Sequence, residues 1–287
     1  MGVERVGVVG CGLMGSGIAE VCARNGLDVV VREVSAEAAE AGRGRVESSM
    51  TRAVRHGRLD AELQERALEA LRFTTDWDEL ADRELVVEAV IEAEALKLDV
   101  FRQLDRVVKA EDAVLASNTS SIPIMKLAMA TQRPAAVVGI HFFNPVPVLG
   151  LVEIVTSLLT ADETVTAAEA FAVGRLGKRA IRSQDRAGFI VNALLIPYLL
   201  SAVRMLESGF ASREDIDAGM VEGCAHPMGP LALADLIGLD TMVAVAQSLY
   251  QEFKEPLYAA SPLLLRMVEA GLLGRKSGRG FYDYTSR

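Results

Sequence analysis

A glycine-rich stretch near the start of the chain places the strongest constraint on its fold. The run "GCGLMG" (10–15) follows the β-branched segment "RVGVV" (5–9) and opens a segment with apolar residues at helical spacing. In the pattern G-x-G-x-x-G the first glycine allows a tight turn, the second lets the backbone approach a pyrophosphate, and the third permits close helix–sheet packing. The helix N-terminus adds partial positive charge. The context favours a dinucleotide site at Gly10, Gly12 and Gly15 over the alternative, a plain glycine turn.

An acidic residue at the end of the second predicted strand supports this interpretation. Glu33 closes "LDVVVRE" (27–33), 18 positions after Gly15, where a carboxylate can accept hydrogen bonds from the adenosine ribose. Because a carboxylate repels a 2′-phosphate, the sequence predicts NAD; Arg32 beside it leaves NADP possible. A solvated charge at a strand end is the favoured interpretation of Arg32, and Cys11 is interpreted as a small filler of the loop.

The order of the apolar segments predicts an α/β fold. Continuously apolar runs alternate with segments of helical periodicity, which is typical of a Rossmann-type, doubly wound and mainly parallel sheet. Beyond Gly188 the pattern is helical throughout. The sequence therefore predicts an NAD-binding domain over 1–187 and an all-helical domain over 188–287. The predicted strands are 5–9, 27–33, 84–90, 113–118, 136–143 and 151–155, and the later helices are 189–208, 212–223, 230–253 and 262–272.

Charge and cysteine content exclude several classes of protein. The net charge of −9 argues against a nucleic-acid or anionic-membrane binder. Cys11, Cys22 and Cys224 have no metal-binding spacing, and so sparse and odd a count predicts a reducing, cytoplasmic setting and no metal. The most apolar stretch, 193–203, is too short to span a bilayer and is interpreted as a core helix.

A histidine stands where a sheet of this kind presents its ligands. His141 lies near the end of "VVGIHFF" (137–143), and ligands bind beyond the carboxyl ends of the strands in such folds. Histidine suits exchange of an alcohol proton because its unperturbed pKa is near neutral. Pro145 and Pro147 predict a turn, so Glu153 in the next strand can return beside His141 and support its charge. The alternatives are a satisfied core histidine and an edge-strand carboxylate paired with a lysine.

Eight segments of the chain occur in an order that resembles one enzyme family. They are "GCGLMGSGIA", "VVEAVIE", "ASNTSSI", "HFFNPVPV", "GFIVN", "HPMGP", "GLD" and "KSGRGFYDY". Together they cover essentially the whole chain and resemble the short-chain L-3-hydroxyacyl-CoA dehydrogenases, most of all the bacterial 3-hydroxybutyryl-CoA dehydrogenases. The resemblance implies a Rossmann domain, a helical substrate-binding domain that dimerises, NAD as cofactor, an acyl-CoA substrate and a homodimer.

The resemblance also implies roles for individual residues. His141 is the expected catalytic acid/base and Glu153 the residue that orients it, while Ser120 and Asn192 donate hydrogen bonds to the C3 oxygen and the thioester of the substrate. The alternatives are that Ser120 caps the helix near Pro123 and that Asn192 caps a helix or bridges the domains. The expected cofactor contacts are Gly10, Gly12, Leu13, Met14, Gly15, Glu33, Glu92, Lys97, Asn118, Ser120, Asn144 and Lys276.

A basic segment offers a site for the phosphates of CoA in this acidic protein. Residues 43–58 carry five arginines and His56 against one acid, Glu47. The family binds CoA with a serine and a lysine here; Ser49 matches the serine, but "RHG" (55–57) stands at the lysine position. We therefore expect CoA contacts from Ser49, Arg52, Arg55 and His56, with Arg55 or His56 replacing the lysine. The alternative is an exposed helix face.

The expected reaction is the reversible oxidation of an L-3-hydroxyacyl-CoA, with 3-hydroxybutyryl-CoA as the expected substrate and acetoacetyl-CoA as the product. Three rivals remain at this point. They are a dehydrogenase for longer or carrier-bound acyl chains, a non-catalytic NAD-binding protein, and a separate subunit of a multifunctional fatty-acid oxidation enzyme. A pure binding module needs none of Ser120, His141, Glu153 and Asn192, which argues against the second rival.

Overall fold

A computed structural model describes residues 2–285 and divides them into two compact units, one up to Arg186 and one from Ala187. The first unit contains one eight-stranded sheet in the order β3-β2-β1-β4-β5-β6-β7-β8. Strands β1 to β6 are parallel, β7 is antiparallel to β6, and β8 is parallel to β7. The strands are β1 (Arg5–Val9), β2 (Asp28–Arg32), β3 (Leu71–Thr74), β4 (Leu85–Glu88), β5 (Val114–Ser117), β6 (Val137–Phe142), β7 (Leu151–Thr156) and β8 (Arg179–Gln184).

The helices of this unit connect the strands and cover the sheet. Helix α2 (Ala36–Arg55) has Ser35 as its N-cap, whose side chain accepts a hydrogen bond from the backbone N–H of Ala38. Strand β1 lies between β2 and β4, so the strand order reverses there and opens a crevice at the carboxyl ends. The helices are α1 (Leu13–Arg24), α2 (Ala36–Arg55), α3 (Ala61–Glu69), α4 (Glu94–Val107), α5 (Ile124–Ala128) and α6 (Asp162–Glu169), the last continued by a π-helical turn (Ala170–Arg175).

The second unit is helical, and its described residues include no strand, only two isolated β-bridges. Ser212 is the N-cap of the helix that starts at Arg213, and its side chain accepts a hydrogen bond from the Asp215 backbone N–H. Asp217 caps the following helix by accepting hydrogen bonds from the N–H groups of Leu231 and Ala232 at 2.8 and 3.0 Å. The helices are α7 (Val191–Glu207), α8 (Arg213–Cys224), α9 (Pro230–Ile237), α10 (Leu239–Phe253) and α11 (Pro262–Glu269).

One predicted helix is wrong. The run 230–253 is not continuous, because Gly238 adopts a φ of 101° that breaks it into α9 and α10. The two helices are bent by 96°; only as this bent pair do they have the length and composition of a membrane span, and no single helix within residues 2–285 has both. The predicted Rossmann-type α/β fold with a helical C-terminal part is confirmed.

Candidate active site

The glycine loop after β1 is tightly packed at two positions and open at a third. Gly10 has a φ of 89°, and a side chain at Gly15 would place its Cβ 1.8 Å from the carbonyl oxygen of Gly10. A Cβ at Gly12 would meet no atom within 4 Å. Gly12 precedes α1, and the first-turn N–H groups of a helix have no acceptor within it. The loop therefore offers open backbone and partial positive charge to an anionic ligand.

Two side chains from neighbouring elements hold this loop. Arg45 of α2 donates from Nε and Nη2 to the carbonyl oxygen of Cys11 at 3.0 and 2.7 Å. The Glu33 carboxylate accepts a hydrogen bond from the backbone N–H of Cys11 through Oε1. Cys11 is buried, and burial, together with Glu33, raises the pKa of its thiol to about 12 against the opposing effect of Arg45. The loop is thus fixed from both sides.

A cleft of about 730 Å³ runs along the carboxyl ends of the strands from β2 to β5. Arg32, Glu33 and Trp77 border it beside β2, and Glu92 and Ser120 border it beside β5. Of the predicted cofactor residues, Gly15, Asn144 and Lys276 do not border it, whereas those that do are Gly10, Gly12, Leu13, Met14, Glu33, Glu92, Lys97, Asn118 and Ser120.

Arg32 is not the solvated charge that the sequence favoured. Its Cζ atom lies 4.0 Å from the ring centroid of Trp77, and its Nε atom is buried. Burial lowers the pKa of Arg32, and the adjacent carboxylate of Glu33 opposes this shift. The guanidinium group is therefore part of the cleft wall.

A group of buried charges lies below the β5 end of the cleft. Lys97, only 1% exposed, donates from Nζ to Oε1 of the fully buried Glu88 at 2.6 Å. Glu88 also accepts hydrogen bonds from Ser117 Oγ at 2.6 Å and the Val90 N–H at 2.7 Å. Lys97 Nζ lies 3.2 Å from Oε2 of Glu92, so one ammonium group bridges two carboxylates.

Glu92 organises the loop that carries Ser120. Its Oε1 accepts hydrogen bonds from Thr119 Oγ1 at 2.5 Å, from the Ser120 N–H at 3.1 Å and from Ser121 Oγ at 2.8 Å. Burial alone would raise the pKa of Glu92, but Lys97 and these hydroxyl groups lower it below its usual value. The carboxylate therefore stays charged and holds the loop.

Ser120 does not cap the helix near Pro123. The first N–H groups of α5, those of Ile124 and Met125, donate instead to the carboxylate of Asp185 at 2.8 and 2.7 Å. Ser120 is half-buried and borders the cleft. The capping alternative for this residue is excluded.

The pairing of β6 with β7 places His141 directly opposite Glu153. His141 Nδ1 lies 2.7 Å from Glu153 Oε2, with the imidazole 6% exposed and the carboxylate fully buried. The ring of Phe143 contacts the imidazole edge-to-face at a centroid distance of 4.7 Å. Glu153 lies in an interior strand, since β8 covers the outer side of β7, and its carboxylate contacts the histidine. A carboxylate so placed fixes the tautomer of the imidazole and stabilises its protonated form.

Two polar side chains hold the end of β6 and the loop that follows it. Asn118 accepts a hydrogen bond from the Phe142 N–H through Oδ1 at 2.9 Å, next to His141 in the chain. Lys178, buried, donates from Nζ to the carbonyl oxygens of Val146 and Leu149 at 2.8 and 2.7 Å. Burial lowers the pKa of Lys178.

A second cleft, of about 630 Å³, lies between α1, α2 and the loop after β6. Ser49, Arg52 and Asn144 border it, so the structure places Asn144 here and not in the first cleft. Arg55 and His56 do not border it; His56 is the C-cap of α2, with Nδ1 2.7 Å from the Arg52 carbonyl oxygen. Arg52 is thus the predicted arginine that lies with Ser49.

Two predicted residues belong to the helical unit. Asn192 is half-buried in the first turn of α7, where Ile190 and not Asn192 is the N-cap. Lys276 donates from Nζ to Asp240 Oδ2 at 2.6 Å. Burial alone would raise the pKa of Asp240, but the hydrogen bonds that its carboxylate accepts from Lys276 and from the Thr241 N–H lower the pKa below its usual value.

Comparison with known protein families identifies the family to which this chain belongs. Residues 5–186 match the family described as "3-hydroxyacyl-CoA dehydrogenase, NAD binding domain", and residues 188–284 match "3-hydroxyacyl-CoA dehydrogenase, C-terminal domain". The chain belongs to the 3-hydroxyacyl-CoA dehydrogenase family. The resemblance drawn from the eight segments is confirmed, as is the assignment of the chain to NAD-dependent oxidoreductases.

Relatives of this 3-hydroxyacyl-CoA dehydrogenase match it over its full length. A 3-hydroxybutyryl-CoA dehydrogenase of Mycobacterium tuberculosis is 58% identical over 282 residues, which cover 98% of this chain and 99% of the relative. The crystal structure of M. tuberculosis FadB2 superposes with a TM-score of 0.98 at 58% identity, covering 99% and 100% of the two chains. That of (S)-3-hydroxybutyryl-CoA dehydrogenase from Ralstonia eutropha gives a TM-score of 0.93 at 46% identity, again covering 99% and 100%.

The first cleft fits the NAD that the family binds. Gly12 leaves the space that a Cβ would fill, which lets the backbone approach a pyrophosphate. At the β2 side of the cleft, the Glu33 carboxylate is an acceptor that suits a ribose hydroxyl. At the β5 side, Glu92 and Lys97 supply polar groups. Within residues 2–285 no group of three or more metal-binding side chains is placed to hold a metal ion.

Sequence reasoning missed three residues: Trp77, which borders the first cleft, and the buried Glu88 and Lys178, which hold side chains or loops near the clefts. In the sequence Glu88 stands at the end of an apolar strand, and only the structure shows that it is a buried carboxylate paired with Lys97. Lys178 is a single lysine whose carbonyl partners lie about 30 residues away in the chain. Trp77 could have been noted as the sole tryptophan of the chain.

Proposed function

We propose that this chain catalyses the reversible NAD-dependent oxidation of L-3-hydroxybutyryl-CoA to acetoacetyl-CoA. The observation that carries the proposal is the contact of His141 Nδ1 with Glu153 Oε2, 2.7 Å, at the carboxyl end of β6. This pair lies in a unit that also contains a dinucleotide cleft. The relatives bearing the name 3-hydroxybutyryl-CoA dehydrogenase support the choice of substrate.

The catalytic roles follow from the chemistry of the residues. Bound NAD supplies the acceptor for the hydride that leaves C3 of the substrate. His141 takes the proton of the C3 hydroxyl as general base, and Glu153 stabilises the imidazolium that results. Ser120 donates a hydrogen bond to the C3 oxygen; Asn192, assigned on its sequence motif, donates to the thioester side. In the reverse direction His141 returns the proton to the carbonyl oxygen.

The ligands are divided between the two clefts of the first unit. Gly10, Gly12, Leu13, Met14, Gly15, Glu33, Glu92, Lys97, Asn118 and Ser120 hold NAD or shape its cleft, and Asn144 and Lys276 remain candidates on their motifs. Ser49 and Arg52 bind CoA phosphate in the second cleft, where the Arg52 fork can pair with it. Arg55 and His56 are weaker candidates because neither borders this cleft.

The test is the loss of NADH absorbance with acetoacetyl-CoA. We expect turnover by the wild type and a decrease of kcat by about 10²- to 10⁴-fold in His141→Gln, the range for loss of a general acid/base. His226→Gln is the matched control, since His226 bonds to Tyr198 in the helical unit and has no proposed catalytic role. Turnover only with longer or carrier-bound chains would overturn the substrate assignment, and equal rates in wild type and His141→Gln would overturn the mechanism.

We also propose that the enzyme is a cytoplasmic homodimer. Large apolar side chains of the helical unit are exposed, Phe210 by 78%, Leu194 by 71% and Leu236 by 50%, and burial of such side chains would stabilise a contact between subunits. The three cysteines are unpaired, as is usual in a reducing compartment. Sedimentation should give about twice the 30.8 kDa of one chain, and cell fractionation should leave the activity outside the membrane fraction.

A further inference from the structure

The cleft wall beside β2 contains a stacked pair of side chains with no assigned role. Arg32 is the last residue of β2, and its Cζ atom lies 4.0 Å from the ring centroid of Trp77. Both residues border the first cleft, next to Glu33. A planar guanidinium over an indole is a favourable arrangement, and both groups also stack readily on nucleobases.

The Arg32 side chain is placed for stacking at the expense of hydrogen bonding. Its Nε atom is buried and has no hydrogen-bond partner among residues 2–285. A buried donor without an acceptor is unfavourable, and an attractive contact with the flat face of the guanidinium group can offset part of that cost. The indole supplies that interaction on one side.

The position of the pair defines which part of the cofactor it can meet. The glycine loop receives the pyrophosphate, and Glu33 is placed for the adenosine ribose. Ser120 and Glu92 border the cleft on the other side of β1, and the proposed function places the nicotinamide half there. We propose that the Arg32–Trp77 pair is the platform on which the adenine ring stacks, and that Arg32 does not act as a ligand of a 2′-phosphate.

Neighbouring charge supports the second part of the proposal. Glu33 follows Arg32 directly, and its carboxylate is fixed to the backbone N–H groups of Cys11 and Val34. A 2′-phosphate would have to approach that fixed carboxylate. Adenine is common to NADH and NADPH, so a stacking role and a phosphate-binding role predict different results. The inference rests on the proposed NAD-dependent function.

The experiment measures Kd for NADH and for NADPH by calorimetry in the wild type and three variants. We expect Arg32→Ala and Trp77→Ala to weaken the binding of both cofactors about ten-fold, the loss of one base–aromatic stacking contact. Trp77→Tyr keeps an aromatic face and should bind within about two-fold of wild type, which separates stacking from misfolding. Weakening of NADPH alone in Arg32→Ala, or unchanged Kd values in Trp77→Ala, would overturn the proposal.

A matched control is available in the same unit. Arg43 stacks on Phe73 with a Cζ-to-centroid distance of 4.5 Å, and neither residue borders the first cleft. Arg43→Ala should leave Kd for NADH unchanged.

A second experiment uses the fluorescence of Trp77, the sole tryptophan of the chain. AMP should quench this fluorescence in the wild type, whereas nicotinamide mononucleotide should not. A wild type that binds neither dinucleotide would refute the proposed function as well, whereas normal NADH binding without AMP quenching would refute the platform alone.

Discussion

Glu88 is the residue that anchors the buried charges beneath the first cleft. It is fully buried, and its nearest cation, Lys97, is 1% exposed. Glu88→Gln removes a charge-assisted hydrogen bond from Lys97 but leaves Glu92 as a partner of the ammonium group, so we expect the free energy of unfolding to fall by about 1.5–3 kcal/mol in urea denaturation. The double variant Glu88→Gln/Lys97→Met should recover part of that loss. Additive losses in the double variant would show that the pair is not coupled.

Replacing Arg52 or Arg55 of α2 by alanine tests which of the two arginines binds the CoA phosphate. Arg52 borders the second cleft beside Ser49, and Arg55 does not. Arg52→Ala should raise KM for acetoacetyl-CoA about ten-fold, the loss of one charge-assisted hydrogen bond, and leave KM for NADH unchanged. Arg55→Ala should change either KM by less than about two-fold. A larger effect of Arg55→Ala in steady-state kinetics would restore it as the substitute for the family lysine.

At the scale of residues, the sequence predicted the contact between His141 and Glu153, but it did not predict which charged side chains are buried. His141 and Glu153 lie twelve positions apart across a proline-containing turn, so strand pairing alone brings them together. The burial of Lys97 and Arg32 could not be predicted, because in the sequence both look like ordinary surface charges. Their actual partners are Glu88, at the end of β4, and Trp77, in the segment after β3, so both contacts depend on the order of the strands.

At the scale of elements, two glycines of the glycine loop have different roles: we expect Gly15 to be needed for folding and Gly12 for cofactor binding. A Cβ at Gly15 would collide with the Gly10 carbonyl oxygen at 1.8 Å, whereas one at Gly12 meets nothing within 4 Å. Gly15→Ala should therefore destabilise the fold by about 1–3 kcal/mol or more. Gly12→Ala should unfold like wild type in urea but bind NADH at least about ten-fold more weakly, as measured by calorimetry. Equal binding by wild type and Gly12→Ala would mean that no pyrophosphate lies there.

The strands that sequence reasoning found and missed differ by their position in the sheet. The six predicted strands are β1, β2, β4, β5, β6 and β7, which are interior and mainly apolar, with most of their charged residues at the strand ends. The two missed strands, β3 and β8, are its edges, where exposed and polar residues such as Arg72 and Arg182 are acceptable. The break at Gly238 was missed because both helices beside it are apolar and glycine also occurs within helices.

At the scale of the whole molecule, the cysteines are distributed so that they report on each unit separately. Cys11 and Cys22 lie buried in the first unit, and Cys224 is exposed in the second. Burial raises the pKa of both Cys11 and Cys22 to about 12, with Glu33 adding to the shift at Cys11. Since the thiolate is the reactive form, at pH 8 only about one in ten thousand of these two thiols would be ionised even if reagent could reach them.

N-ethylmaleimide at pH 8 should therefore modify one thiol of the native protein, Cys224, and all three after unfolding, as counted by mass spectrometry. Modification of Cys11 and Cys22 in increasing urea then measures the opening of the first unit. NAD binds only the folded unit, so at one hundred times Kd it should stabilise that unit by about 2.7 kcal/mol and move both midpoints to higher urea. Gly12→Ala should show the wild-type midpoint without NAD and a smaller shift with it. Rapid modification of Cys22 in the native protein would contradict the packing of α1 against the sheet.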